Sequence, residues 1–106
     1  MTNTIEYVEN RAIEILKKFG FQFHQDKGLT IREKKDYERQ GISMDVWIVS
    51  VKYGQKNTRT ATAFLYINDA NGLPVRFQWS PSGVVEFVAN EDGTVSTPSG
   101  EKYSFD

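Results

Sequence analysis

The strongest constraint on the fold is a change in hydrophobic period at Gly20. Before this glycine, apolar residues recur at steps of three and four, which places them on one stripe of a helix: Ile5, Val8, Ala12, Ile15, Leu16 and Phe19. After it, apolar and polar residues alternate, beginning with Phe21 and Phe23, as they do in β-strands. The sequence therefore predicts an amphipathic helix over about residues 4–19, followed by β structure.

The ends of this helix carry recognisable signals. Asn3 and Glu6 have the spacing of a capping box, with Asn in place of Ser or Thr. Gly20 stands where a left-handed C-terminal cap belongs, and Lys17 and Lys18 precede it, as the helix dipole favours. These signals support the predicted start and end of the helix.

Turn-forming segments divide the rest of the chain into short alternating stretches, and the clearest are Pro-Ser-Gly at 81–83, Glu-Asp-Gly at 91–93 and Pro-Ser-Gly at 98–100. Residues 30–39 fit either a solvated helix or a polar edge strand, and we favour the strand. Strands are predicted over about residues 21–25, 29–36, 43–53, 60–67, 73–79, 84–88, 94–97 and 102–105. One helix followed by six to eight short strands predicts a single α+β domain, residues 1–106, with the helix on a curved antiparallel meander sheet.

The chain has little of the chemistry that most catalytic and metal sites require. It contains no cysteine, so disulfides, thiolate metal clusters and a Cys nucleophile are excluded. His24 is the only histidine, and we expect it to be solvated at a strand end rather than paired with Asp26 for catalysis. No glycine-rich phosphate loop precedes a helix. We therefore expect no catalytic residue, no metal site and no cofactor.

Charge is balanced overall but unevenly placed. The chain carries 13 Lys+Arg and 14 Asp+Glu, a net charge of -1, which argues against a general nucleic-acid binder. Carboxylates gather near the C-terminus, at Glu86, Glu91, Asp92, Glu101 and Asp106, and the opposing basic group comprises Lys52, Lys56, Arg59 and Arg76. The acidic edge is either a docking site for a basic protein or a solubilising rim. Residues 32–39 alternate in sign and are interpreted as a solvated face.

Aromatic residues supply the other candidate surface. Trp47, Leu65, Phe77 and Trp79 are expected to face the helix. Phe64 and Tyr66, together with Ile48, would then lie on the face of the sheet that no helix covers. An exposed apolar group of this kind predicts a partner protein or a second copy of the chain.

No stretch of the chain has the character of a secretory leader or reaches the roughly 20 apolar residues of a membrane helix. We therefore expect a soluble, cytoplasmic protein that does not bind membranes.

Two segments resemble small bacterial cystatin-like and NTF2-like domains: DVWIVSV at 45–51 and INDANGLPV at 67–75. In several such families a W-x-V strand precedes an I-D-x-x-x-G hairpin and a further apolar strand, and here Asn68 stands in place of the commonest Asp. The resemblance covers about residues 4–79. It implies a helix packed on a curved sheet and, since some members are immunity proteins that neutralise a toxin, a protein-binding function.

Three functions fit these features. The leading one is a non-enzymatic binding protein, an immunity or inhibitor protein, that acts through its sheet face or its acidic edge, with Phe64, Tyr66, Glu86, Glu91, Asp92 and Glu101 as partner-binding residues. The second is a small-molecule-binding or NTF2-like enzyme domain with a cup between helix and sheet, where Asp45 or Asp26 would be the base. The third is a structural accessory of a phage or secretion assembly that pairs through an exposed sheet edge.

Overall fold

The computed structural model describes residues 3–54 and 61–105, and over these ranges it contains one N-terminal α-helix and eight antiparallel strands. The predicted α+β fold, with the helix packed on an antiparallel sheet, is confirmed. The elements are α1 (Ile5–Phe19), a 3₁₀ turn (Gln25–Lys27), β1 (Leu29–Arg39), β2 (Ile42–Tyr53), β3 (Ala61–Asn68), β4 (Pro74–Gln78), β5 (Val84–Glu86), β6 (Val88–Ala89), β7 (Val95–Ser96) and β8 (Lys102–Tyr103).

The N-terminal cap of α1 is Thr4, not the predicted Asn3. Thr4 has extended backbone angles, and its Oγ1 accepts a hydrogen bond from the Tyr7 backbone N–H at 3.1 Å. Asn3 instead bonds to the β3–β4 turn, where its Nδ2 donates to the Asp69 carbonyl at 2.7 Å. Gly20 ends the helix in the left-handed conformation, at φ 74°, as its sequence position predicts.

Strands β1 to β5 form one sheet in sequential order, and each strand is antiparallel to its neighbours. One row of side chains crosses all five strands: Ile31, Val49, Leu65, Phe77 and Val85. Every member is apolar, and this face packs against the buried helix residues Val8, Ala12, Ile15 and Leu16. Trp47, Leu65 and Phe77 are buried there, with Trp79 packed at the margin. We call this side of the sheet the helix-covered face.

The predicted single meander is divided into two sheets. Strands β6, β7 and β8 form a separate three-stranded sheet, and the five-stranded sheet is not closed. The division falls at Phe87, within the predicted strand 84–88, where the backbone N–H bonds to the Val75 carbonyl at 2.9 Å. The buried side chains of Phe87, Val95 and Phe105 join the core under α1. The small sheet therefore extends the helix-covered core.

The prediction of a strand over residues 21–25 is wrong. Phe21 and Phe23 are half-buried against the core, which explains their spacing. The segment approaches β2 through a bond from the His24 backbone N–H to the Lys52 carbonyl, at 2.8 Å, and then turns at Gln25–Lys27. Apolar packing with no strand ladder produces an alternating pattern that the sequence alone cannot distinguish from a strand.

The ambiguous residues 30–39 belong to a strand. Leu29 and Ile31 pack against the core, and β1 pairs with β2 along most of its length. The register shifts between Lys34 and Tyr37, as at a β-bulge, and Asp36 has a φ of 55° there. The polar composition is that of an edge strand, because β2 is the only neighbour of β1 in the described sheet.

Arg11 connects three distant parts of the chain. Its Nε donates to the Gly72 carbonyl at 2.8 Å, and its Nη1 donates to the Phe105 carbonyl at 2.9 Å. The guanidinium also lies over the Phe105 ring, 5.5 Å from the centroid. One helix side chain thus holds the β3–β4 turn and the last described residue in place.

Candidate functional site

The side of the five-stranded sheet opposite α1 carries a mixed polar and aromatic surface, which we call the helix-free face. Its central row crosses all five strands: Arg32, Ile48, Tyr66, Arg76 and Glu86. The adjacent row consists of Thr30, Ser50, Phe64, Gln78 and Val84. Phe64 and Tyr66 therefore lie where the sequence places them, on the face that α1 does not cover.

The helix-free face has a small core of its own, so Ile48 lies on the predicted face but is not exposed there. Ile48 is only 1% exposed and packs with Val46 and Val75. The β1–β2 hairpin brings Tyr37 over this cluster, with its ring 5.3 Å from that of Tyr66. Among the described residues of this face, the exposed large apolar side chains are Ile42, Phe64 and Val84.

Among the described strand residues that are paired in register, the charged side chains on the helix-free face are five cations and one carboxylate: Arg32, Lys34, Arg39, Lys52, Arg76 and Glu86. The alternation of positive and negative residues along β1 produces part of this excess of positive charge. Successive strand residues point to opposite faces, so Arg32 and Lys34 share the helix-free face while Glu33, between them, does not. The two cations of this stretch therefore lie on one face and the carboxylate on the other, although the charges of residues 32–39 nearly cancel along the chain.

Glu86, predicted to bind a partner, is neutralised by two arginines. Its Oε2 lies 3.1 Å from Arg39 Nε, and its Oε1 lies 3.3 Å from Arg76 Nη1. Arg39 also donates to the Val75 carbonyl at 2.8 Å, and Arg76 lies over the Tyr66 ring, 5.9 Å from its centroid. Sequence reasoning missed Arg39, because no local pattern indicates that the end of β1 reaches β5.

The other predicted acidic residues do not form one surface with Glu86. Asp92 lies in the β6–β7 turn and Glu101 in the β7–β8 turn, at opposite ends of β7. Hydrogen bonds from Lys102 Nζ, at 2.9 Å, and from Thr94 hold the pKa of Asp92 well below its usual range. Glu91 is exposed beside Asp92.

Of the predicted basic group, Lys56 and Arg59 lie outside the described residues. Lys52 and Arg76 both lie on the helix-free face, where Lys52 Nζ donates to Thr62 Oγ1 at 2.7 Å. The structure therefore places these two cations on the same face as Phe64 and Tyr66.

A cavity of about 510 Å³ opens between the end of α1, strands β4 and β5, and the β7–β8 turn. Six aromatic rings line it: Phe19, Phe21, Phe77, Trp79, Phe87 and Tyr103. Glu101 stands at its edge and accepts a hydrogen bond from Tyr103 Oη at 2.7 Å. That bond, together with partial burial, raises the pKa of Tyr103. We call this cavity the aromatic pocket.

The carboxylates considered as catalytic bases do not line the aromatic pocket. Asp45 accepts the Asp36 backbone N–H at 3.1 Å, and Asp26 is the middle residue of the 3₁₀ turn. The His24 ring hydrogen-bonds to the Gly54 carbonyl. Within residues 3–54 and 61–105, no three His, Asp or Glu side chains are grouped so that they could hold a metal ion.

Within the same described ranges, no helix has the length and apolar character that crossing a membrane requires. Comparison of the chain with protein-family models, with curated proteins and with solved structures finds no match. The resemblance to cystatin-like and NTF2-like domains therefore stays a prediction.

Proposed function

We propose that this protein is a non-enzymatic binding domain whose helix-free face binds an acidic surface on a partner protein, as an inhibitor or immunity protein would. One observation carries the proposal. A chain with a net charge of -1 places, among its described and paired strand residues, five cations and one carboxylate on a single sheet face that also exposes Phe64 and Val84. Such segregation gives an interface electrostatic complementarity toward an acidic partner.

The helix-free face has both ordered side chains that can anchor a partner and exposed cations that can attract it. Arg39 and Arg76 are held by Glu86, and Tyr66 lies beneath Arg76, so these groups lose little side-chain freedom on binding. Arginine and tyrosine are also enriched among residues that dominate binding energies. Arg32 and Lys34 are exposed on the edge strand, where they can attract an acidic surface before contact.

An acidic protein suits this face better than a nucleic acid does. Base stacking needs several free aromatic faces, but Tyr66 is already in contact with Tyr37 and Arg76, which leaves Phe64 as the exposed ring among the described residues of this face. Phe64 and Val84 add aliphatic and aromatic surface that a protein interface can bury. The proposed setting is the cytoplasm.

The test is affinity capture from cells of the source organism with three immobilised proteins. These are the wild type, the helix-free-face variant Arg32→Glu/Lys34→Glu, and the control Lys17→Glu/Lys18→Glu, which makes the same charge change on exposed residues of α1. All three are first shown to be folded by circular dichroism. The proposal expects the wild type and the control to retain the same acidic protein and the helix-free-face variant to lose it.

Two further measurements complete the experiment: the salt dependence of capture and the identity of the captured material. The captured protein should be released as NaCl rises from about 0.1 M to about 1 M, where the Debye length falls from about 10 to about 3 Å. Three results would overturn the proposal: equal capture by both charge variants, capture that nuclease treatment abolishes, or recovery of further copies of the chain alone.

A further inference from the structure

The aromatic pocket carries a second inference, which does not depend on the cations of the helix-free face. We propose that it binds the alkylated ammonium head group of a small organic cation. Three observations support this assignment: the composition of the wall, its rigidity and the position of a single charge.

The wall offers aromatic surface to a ligand. Phe19, Phe21, Trp79 and Tyr103 are only half-buried although they pack against the core, so each retains ring surface at the cavity. The negative face of an aromatic ring attracts cations, and quaternary ammonium groups are a common ligand of aromatic-lined sites. A volume of about 510 Å³ falls within the range of small-molecule sites.

The rings also hold one another in place. The Phe19 ring is stacked on Phe87 at 5.2 Å, and Phe21 meets Phe77 edge to face at 4.9 Å. Phe77 lies 5.7 Å from Trp79, whose carbonyl accepts a hydrogen bond from Tyr53 Oη. A wall fixed before binding loses little entropy when a ligand enters.

The charge at the pocket has one sign. Among the described residues that line it, Glu101 is the only one charged at neutral pH. Its side-chain hydrogen-bond donors among the described residues are the hydroxyls of Tyr103, at 2.7 Å, and Ser99, at 3.5 Å, and neither is a cation. A carboxylate beside aromatic rings favours a cation over a neutral or anionic ligand of the same shape.

The probes are choline and its neutral carbon isostere, 3,3-dimethylbutan-1-ol, which differ chiefly in charge. The chain has two tryptophans, and only Trp79 lines the pocket, whereas Trp47 is buried elsewhere. Titration followed by the indole N–H signals in ¹H–¹⁵N spectra should therefore move the Trp79 signal and leave the Trp47 signal in place. We expect choline to bind about tenfold more tightly than the alcohol, as a cation–π gain of about 1–2 kcal/mol implies.

Two matched variants test the role of the carboxylate. Glu101→Gln should weaken choline binding about tenfold and leave binding of the alcohol unchanged. Glu91→Gln removes an exposed carboxylate from the other turn of the small sheet, outside the pocket lining, and should change neither. Equal affinity for the two probes, or choline binding that Glu101→Gln does not alter, would overturn the assignment, as would an unshifted Trp79 signal.

A peptide carrying trimethyl-lysine identifies the source of the head group. If it binds more weakly than choline, the ligand is a free small molecule, as proposed. If it binds more tightly, the same chemistry is presented by a modified protein. Because the variants that probe this pocket leave Arg32 and Lys34 intact, failure here is distinguishable from failure of the proposed protein-binding function.

Discussion

The indole N–H of Trp47 donates to Asp69 Oδ1 at 2.7 Å. Asp69 is only 5% exposed, and its side chain also accepts the Asn3 backbone N–H at 3.2 Å. Its own backbone N–H donates to the Asp45 carbonyl at 3.0 Å. A carboxylate in the β3–β4 turn thereby fixes the largest side chain of β2 and Asn3, the residue before the N-cap of α1.

Asp69→Ala should lower the free energy of unfolding by about 1–3 kcal/mol, because the Trp47 N–H would be left buried without an acceptor. The measurement is urea unfolding followed by tryptophan fluorescence. Glu9→Ala, an exposed helix residue, is the control and should change stability by less than about 0.5 kcal/mol. Equal effects of the two substitutions would contradict a structural role for Asp69.

Gly72→Ala should cost about 1–3 kcal/mol, since Gly72 has a φ of 70° and an added Cβ would lie 2.5 Å from Tyr7 Oη. Gly93→Ala is the matched control: its φ is 86°, but the Cβ would meet nothing within 4 Å. Removing the hydroxyl by Tyr7→Phe should recover part of the Gly72→Ala loss and none of the Gly93→Ala loss. Thermal unfolding of the single and double variants would measure this coupling.

Glu86→Gln should destabilise the protein by about 1 kcal/mol at low salt, because Arg39 and Arg76 would lose their shared carboxylate. The loss should shrink in about 1 M NaCl, where screening weakens the ion pairs of the wild type. Glu38→Gln, at an exposed position of β1, should show no such salt-dependent loss. If Glu86→Gln were neutral at both salt concentrations, the two ion pairs would contribute nothing measurable.

The Tyr103 phenol should ionise above its ordinary pKa of 10.0, because the hydrogen bond to Glu101 and burial both favour the protonated form. The stability that this bond supplies is present below the ordinary pKa and is lost as the pH rises through the pKa of the folded protein. Subtracting the 295 nm absorbance titration of Tyr103→Phe from that of the wild type isolates this group. Glu101→Gln should move the isolated titration to lower pH.

Asp92 should show the opposite pH dependence. Its pKa is lowered from 3.8 by hydrogen bonds from Lys102 and Thr94, so its contribution to stability is present above 3.8 and is lost as the pH falls through the pKa of the folded protein. Wild type and Asp92→Asn should therefore differ in stability at neutral pH and converge in strong acid. Urea unfolding at a series of pH values measures the difference, and a gap that widens below pH 3.8 would contradict the proposed hydrogen bonds.

Local periodicity was sufficient to predict the helix and most strands, because hydrogen bonding and side-chain direction repeat over neighbouring residues. It was insufficient where packing over long distances decides the structure. Phe21 and Phe23 alternate like strand residues yet lack a ladder, and Asn3 bonds to a turn 66 residues away in place of capping α1.

The candidate site was predictable only in part, for the same reason. The positions of Phe64 and Tyr66 follow from strand alternation, whereas the pairing of Glu86 with Arg39 depends on how the β1–β2 hairpin lies over the sheet. The charges of residues 32–39 nearly cancel when they are summed along the chain. They do not cancel on the helix-free face, where Arg32, Lys34 and Arg39 all lie. The aromatic pocket brings together residues from Phe19 to Tyr103, which no local motif could connect.

The two carbonyls that Arg11 holds are 61 and 94 residues further along the chain. During synthesis the helix residues leave the ribosome long before Phe105. Both hydrogen bonds of Arg11 therefore cannot form until nearly all described strands are available. Until then the apolar stripe of α1 lacks its full cover, and contacts of such long sequence separation form slowly. The nascent protein therefore depends on residues near Phe105 to shield α1, and truncation after β5 should yield an aggregation-prone chain in place of a smaller folded domain.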